Sequence, residues 1–278
     1  MSIKKILCPT DFSKAANNAV EYASKLASKT GAQITLTHVM SLPEIYDNFS
    51  TPGLLINLDI KRNEVEEKLK NYANQVSTEF HVPCLYEIGL VNVESTGKEI
   101  ADESETYDLI VCGTNGADNI FQFYFGSNSY RISKNAATPT LIVPEVCSYK
   151  EINQLVFASG YNKGDHILIK QLKEFMKDFN PALTVLHVSE KQTPVSQEVF
   201  HAFTHLLDEA FNYSHKINFH RIVNEDEASS IEHYMHTSKA DVLAVCMEEH
   251  GFLYRMFHTN LIKKITSYSD YPVLVFHK

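Results

Sequence analysis

Apolar and polar residues alternate along this chain in two rhythms that follow one another repeatedly. Lys5-Ile-Leu-Cys8 is a short apolar run of the kind a buried strand uses, and it breaks at Pro9-Thr-Asp-Phe-Ser13. From Ser13, a suitable N-cap, apolar residues recur at three-to-four spacing: Ala16, Ala19, Val20, Ala23, Leu26 and Ala27. Gly31 follows where a left-handed residue closes a helix. Gln33–Met40 reads as a second strand, and residues 41–59 as a connecting loop containing Pro and Gly. Val65, Leu69, Tyr72, Ala73, Val76 and Phe80 then mark a second helical stripe. Cys84–Ile88 predicts a third strand, 93–105 a weaker helix, Asp108–Cys112 a fourth strand, 127–136 a last helix and Thr140–Val143 a fifth strand. Strands rich in apolar and β-branched residues, alternating with helices, predict a parallel sheet covered on both faces.

The same order returns from residue 151. Leu155–Phe157 matches the first strand, and His187-Val188 falls on His38-Val39. Asp241–Val245 matches Asp108–Cys112, and Tyr271–Phe276 matches Thr138–Val143, both at an offset of 133 residues. The expectation is two copies of one α/β domain, 1–147 and 151–278, each Rossmann-like or flavodoxin-like with a five-stranded parallel sheet. Their natural arrangement is a pseudo-twofold pair, an isologous dimer fused into one chain, and a homodimer of the whole chain is a further option. The joining Cys147-Ser-Tyr-Lys150 lacks Gly/Ser flexibility, so the copies should pack together.

Composition narrows the setting. The 278 residues are 44% hydrophobic and 21% charged with net charge −9, and neither half has a basic stripe, which disfavours nucleic-acid binding. No apolar run has the length of a signal-peptide core or a membrane span, giving a cytoplasmic expectation without membrane contact. The five cysteines lack CxxC spacing, and Cys8, Cys112 and Cys246 sit in apolar runs as reduced, buried thiols. Eleven of the thirteen histidines lie in the second half. His201/His205 and His233/His236 have helical spacing but no evident third ligand, so surface histidines are the default. His38 and His187 suit strand-end hydrogen bonds.

The candidate chemistry lies at the carboxyl ends of the first-half strands, where ligands of open α/β sheets settle. Gly113 ends the fourth strand and Gly116 shares its turn, which lets backbone approach a ligand without Cβ obstruction. Gly126-Ser127-Asn128 opens the last helix, whose free amides favour a phosphate. This G-x2-G-x9-G-[ST] pattern joins Pro9-Thr10-Asp11-Phe12-Ser13, His38-Val39 and Pro139 in a set that resembles the ATP-binding universal stress proteins. The resemblance implies an adenine nucleotide (ATP, ADP or AMP) bridged by Mg²⁺. It would set Pro9, Thr10 and Asp11 beside the adenosine and the Val39 backbone on the adenine edge. Gly113, Gly116, Gly126, Ser127 and Asn128 would cradle ribose and phosphates. Asp11 could instead cap the helix from residue 13, though its place after Pro-Thr favours a ligand contact. The spacer 117–125 has no Lys or Arg, unlike many family spacers, so a nucleotide with fewer phosphates is an alternative to ATP.

In the second half the pattern is dismantled. Gly160 stands at the place of Asp11, Cys246 at that of Gly113, Glu249 or its neighbour at that of Gly116, and His258-Thr259 at that of Gly126-Ser127. One nucleotide per chain follows. No phosphate loop, nucleophile elbow or zinc-protease helix occurs in the sequence. The reading is a nucleotide-sensing stress protein; the alternatives are a scaffold with vestigial sites and a slow ATPase using Asp11 and a metal-bound water.

Overall fold

The computed structural model describes residues 3–41, 52–91, 100, 106–114, 127–161, 166–189, 197–211, 217–247 and 269–277. Its first-half strands are β1 (Lys5–Pro9), β2 (Gln33–Ser41), β3 (Cys84–Val91), β4 (Leu109–Thr114) and β5 (Thr140–Pro144), with helices α1 (Lys14–Thr30), α2 (Pro52–Phe80) and α3 (Ser127–Asn135). The second half supplies β6 (Gln154–Ala158), α4 (His166–Met176), β7 (Ala182–Ser189), α5 (Gln197–Ala210), β8 (Ile217–Val223), α6 (Glu227–Ser238), β9 (Val242–Met247) and β10 (Val273–His277).

Helix α1 forms where the stripe predicts it. The Ser13 hydroxyl accepts from the Ala16 amide at 3.2 Å, and Gly31 at φ 72° donates its amide to the Ala27 carbonyl. The predicted stripe from Ala16 to Ala27 is buried throughout, and its small side chains let the helix lie close on β4 and β5. Helix α2 corrects the reading of 41–59 as a loop, because it starts at Pro52. Proline is suited to a first helical turn, where an amide has no intrahelical partner in any case. Residues 42–51 and most of 93–105 lie outside the described residues, although Ile100 is helical and buried.

All ten strands form one sheet in the order β3-β2-β1-β4-β5-β10-β9-β6-β7-β8. Every neighbouring pair is parallel except β5–β10, which is antiparallel. From its outer edge inward each half reads third, second, first, fourth, fifth strand, and the two fifth strands meet. At that seam Leu141 lies opposite Leu274, with Ile142 opposite Val273 and Thr140 opposite Val275. Leu141 and Leu274 are themselves the residues matched by the 133-residue offset, so the seam has the self-complementary register of a twofold contact. β4 and β5 are almost wholly buried, and one apolar core runs through both halves from Leu26 and Leu69 to Phe203 and Met235. A smaller cluster of Leu7, Ile100, Ile110, Ile132 and Ala136 fills the face beneath α3.

The starts of the strands are tied alike in both halves. The Asp108 carboxylate accepts from the Lys4 and Lys5 amides at 2.8 and 3.0 Å, and Asp241 accepts from those of Asn153 and Gln154 at 2.8 and 2.9 Å. Among the described residues no helix is long and apolar enough to cross a membrane.

Candidate functional site

Strand order reverses between β1 and β4, so the carboxyl ends of these two strands open the crevice where open α/β sheets take ligands. At the end of β1 the Thr10 amide still donates to the Thr37 carbonyl at 2.8 Å, which carries the ladder one residue past Pro9. Then the chain turns sharply. The Thr10 hydroxyl accepts from the Phe12 amide at 3.0 Å, and Phe12 takes a left-handed φ of 64°. The Asp11 carboxylate accepts from the Ser13 amide at 2.9 Å and is exposed. Asp11 thus shapes the turn before α1, while Ser13 makes the cap.

His38 locks this turn from β2. Its Nδ1–H donates to the Thr10 carbonyl at 2.7 Å, the strand-end bond expected of it. The Phe12 ring lies 5.0 Å from the His38 ring and 6.3 Å from that of Tyr72, with the Lys68 ammonium 3.9 Å above its centre. Val39 is half-buried, pairs with Gly89 across β2–β3 and packs on the Leu7 cluster. A Cβ at Gly89 would come within 3.2 Å of the Val39 side chain.

The end of β4 gives Gly113 a packing role that the motif reading did not include. A Cβ there would lie 2.2 Å from the Ala15 carbonyl oxygen and 2.9 Å from the Ala16 amide nitrogen. The space is therefore taken by the first turn of α1, and the residue is glycine because helix and strand touch backbone to backbone. The Ser129 hydroxyl donates to the Gly113 carbonyl at 2.7 Å and holds the opening turn of α3 against the end of β4. Ser127 and Asn128 begin α3, and their side chains lie outside the described residues, as do Gly116, Gly126 and the spacer 117–125. Pro9, Thr10, Asp11 and Gly113 thus converge with the start of α3 at the strand-order reversal. Val39 lies one strand further out.

The second half repeats the turn with different contents. The Ser159 amide donates to the Leu186 carbonyl at 3.0 Å, its hydroxyl accepts from the Tyr161 amide at 3.0 Å, and Tyr161 has φ 57°. His187 Nδ1–H donates to the Ser159 carbonyl at 2.9 Å. Ser159, Tyr161 and His187 stand 149 residues after Thr10, Phe12 and His38. Here the Tyr161 ring stacks on His187 at 4.5 Å and 18°, with Phe203 at 5.0 Å and Phe200 at 5.7 Å. Burial holds the His187 pKa below its usual value, against the raising effect of its bond to Ser159. Gly160 supplies no carboxylate, and Cys246 occupies β9 at the place of Gly113. Glu249, His258 and Thr259 lie outside the described residues. The left-handed aromatic residue escaped the sequence reading; its signal was a Thr/Ser two residues before Phe or Tyr at the same offset as the histidines.

The five cysteines are free thiols, and burial pushes Cys112 up to about 12. Among the described residues no three His, Cys, Asp or Glu side chains gather as a metal site, and His205 lies 3.6 Å from Glu209.

A family model described as the universal stress protein family matches residues 2–144, just over half of the chain. Universal stress protein MJ0577 of Methanocaldococcus jannaschii is 30% identical over 155 residues, spanning 50% of this chain and 94% of the relative. Universal stress protein MJ0531 of the same organism is 26% identical over 145 residues, 50% of this chain and 81% of the relative. A universal stress protein from Archaeoglobus fulgidus aligns over 100% of this chain and 99% of its own at a TM-score of 0.77 and 17% identity, a likeness of fold along the full length.

Proposed function

This chain belongs to the universal stress protein family, and we propose that its first half, residues 1–147, binds one adenine nucleotide as a regulatory sensor while residues 151–278 form a degenerate partner unit. The observation that supports the reading is that an exposed Asp11 follows β1 and an α3 start is fastened by Ser129 to the Gly113 carbonyl at the end of β4, the two strands between which the order reverses. A helix start offers unpaired amides and the positive end of its dipole, which suit a phosphate. Pro9, Thr10 and Asp11 would line the nucleoside, and Val39 would meet the adenine edge through its backbone. Gly113, Gly116, Gly126, Ser127 and Asn128 would surround ribose and phosphate.

Mg²⁺ fits this donor set in a limited way. Asp11 is a hard oxygen donor, and no three-residue metal cluster occurs among the described residues, so the ion would draw most of its ligands from phosphate and water. In the second half the turn is sealed by Tyr161 stacked on His187, and Asp11 has no counterpart, which supports a stoichiometry of one. The scaffold reading has its own support, since Gly113 is accounted for by its contact with α1 alone.

Isothermal titration with ATP, ADP and AMP, each with and without Mg²⁺, separates these readings. The sensor reading expects one site per chain, weakened by Asp11→Ala. Two equivalent sites would contradict the degenerate second half, and no binding of any of the three would leave the scaffold.

A further inference from the structure

Helix α5 divides between an apolar face and a polar one. Phe203 and Leu207 are buried against the core of the second half. The opposite face carries Glu198, His201, His205 and Glu209, all exposed and spaced by three, four and four residues. Residues at such spacing are neighbours on a helix surface, with Cβ atoms about 5–6 Å apart. The stripe therefore runs carboxylate, imidazole, imidazole, carboxylate along one side of the helix.

The helix supplies no positive charge of its own to offset this stripe. From Gln197 to Ala210 there is no Lys or Arg, against the acids Glu198, Asp208 and Glu209. Such a surface attracts a cation, and the two imidazoles decide which kind. Mg²⁺ and Ca²⁺ take oxygen donors, whereas imidazole suits Zn²⁺, Cu²⁺ and Ni²⁺. Histidines four apart on one helix face are also the spacing by which a zinc-protease helix grips its metal. The second histidine has an orienting neighbour: His205 Nδ1 stands 3.6 Å from Glu209 Oε2, and both side chains are exposed. A carboxylate beside one ring nitrogen favours the proton there and leaves the other nitrogen free as a donor.

We propose that His201 and His205 form a surface site for a divalent transition-metal ion of the Zn²⁺ class. His205 would bind through Nε2 with Glu209 as its orienting carboxylate, and water would complete the coordination. Two protein ligands are all this site requires, in keeping with the absence of a gathered three-residue cluster among the described residues. The ion would link consecutive turns of α5. That helix places Phe200 and Phe203 against Tyr161, whose ring stacks on His187, so the ion would brace the closed turn of the second half. The site belongs to the second half and does not rest on the nucleotide reading of the first.

The test is calorimetric titration of the full-length, nucleotide-free chain with Zn²⁺, alongside its melting temperature. Saturable binding and a raised Tm are expected with Zn²⁺, and neither with Ca²⁺ at the same concentration. His201→Asn and His205→Asn, each at an exposed position, should weaken Zn²⁺ roughly tenfold or more, because a lone imidazole forfeits its linked second donor. Glu209→Gln should weaken it by up to about tenfold while leaving the Tm of the metal-free protein unchanged. Binding should fall away as pH drops through the histidine range near about 6.5, since the ligands must be neutral. Undiminished Zn²⁺ affinity in a folded variant carrying both His201→Asn and His205→Asn would overturn the assignment. Ca²⁺ binding as tight as that of Zn²⁺ would do so too, by marking a plain acidic surface. The histidines of α6 stay in place in the double variant, so a loss of binding there belongs to α5.

Discussion

Gly113→Ala gives a measurable reading of how tightly the two halves of the crevice are joined. The added methyl would sit 2.2 Å from the Ala15 carbonyl oxygen, 2.4 Å from its carbon and 2.9 Å from the Ala16 nitrogen. All three are backbone atoms of the capped first turn of α1, so no side-chain rotation relieves the overlap. Strand β4 or the whole turn must move by about 1 Å to restore ordinary contact, which is overpacking of the kind that costs roughly 1–3 kcal/mol or somewhat more. Opposing this, alanine narrows the unfolded chain's freedom by about 0.4–1 kcal/mol where the backbone tolerates it, and Gly113 does not need a positive φ. The net expectation is a loss of about 1–2 kcal/mol, or roughly 2–8 °C in Tm for a chain of this order of size. Urea unfolding of the ligand-free protein should show a lower midpoint with unchanged slope. A variant as stable as the parent would refute the packing account and return the glycine to a purely ligand-facing role.

Other expectations follow from the same contacts. Ser129→Ala removes the part-buried bond to the Gly113 carbonyl and should cost about 1 kcal/mol in chemical denaturation. His187 is held neutral by burial, so the native state binds its proton less readily than the unfolded chain does. Its contribution to stability is therefore intact above the unfolded pKa of about 6.5 and declines as pH falls through that value toward the lower folded one. His187→Gln should flatten the pH dependence of the urea midpoint between about pH 7 and 5, and parallel curves for parent and variant would exclude this role. Burial pushes the Cys84 thiol up to about 12 and Cys147 to about 11, so a thiol reagent at pH 8 should label both slowly until urea is added.

The periodic positions carried most of the fold. The α1 stripe is buried residue for residue, and the strand segments fall within one to three residues of their observed ends, because both periodicities reflect which face meets the core. Pro52-Gly53 misled, since a proline that interrupts a helix interior also serves its first turn. Of the candidate site, the motif points to Thr10 and Asp11, and the structure sets them in the turn after β1, beside the strand-order reversal. The packing role of Gly113 was hidden because missing Cβ atoms serve ligands and packing alike, and only the position of Ala15 shows that packing is involved.

The antiparallel seam also governs what this protein can exchange. Two separate chains joined along such an edge would part on dilution and could trade partners with any relative presenting a compatible fifth strand. Here β5 meets β10 within one polypeptide, so the joining is unimolecular and independent of expression level. The edges that remain at the ends of the sheet belong to β3 and β8. An intact and an altered crevice are therefore delivered together in a fixed one-to-one ratio, and hybrids through the fifth strand are closed to this chain.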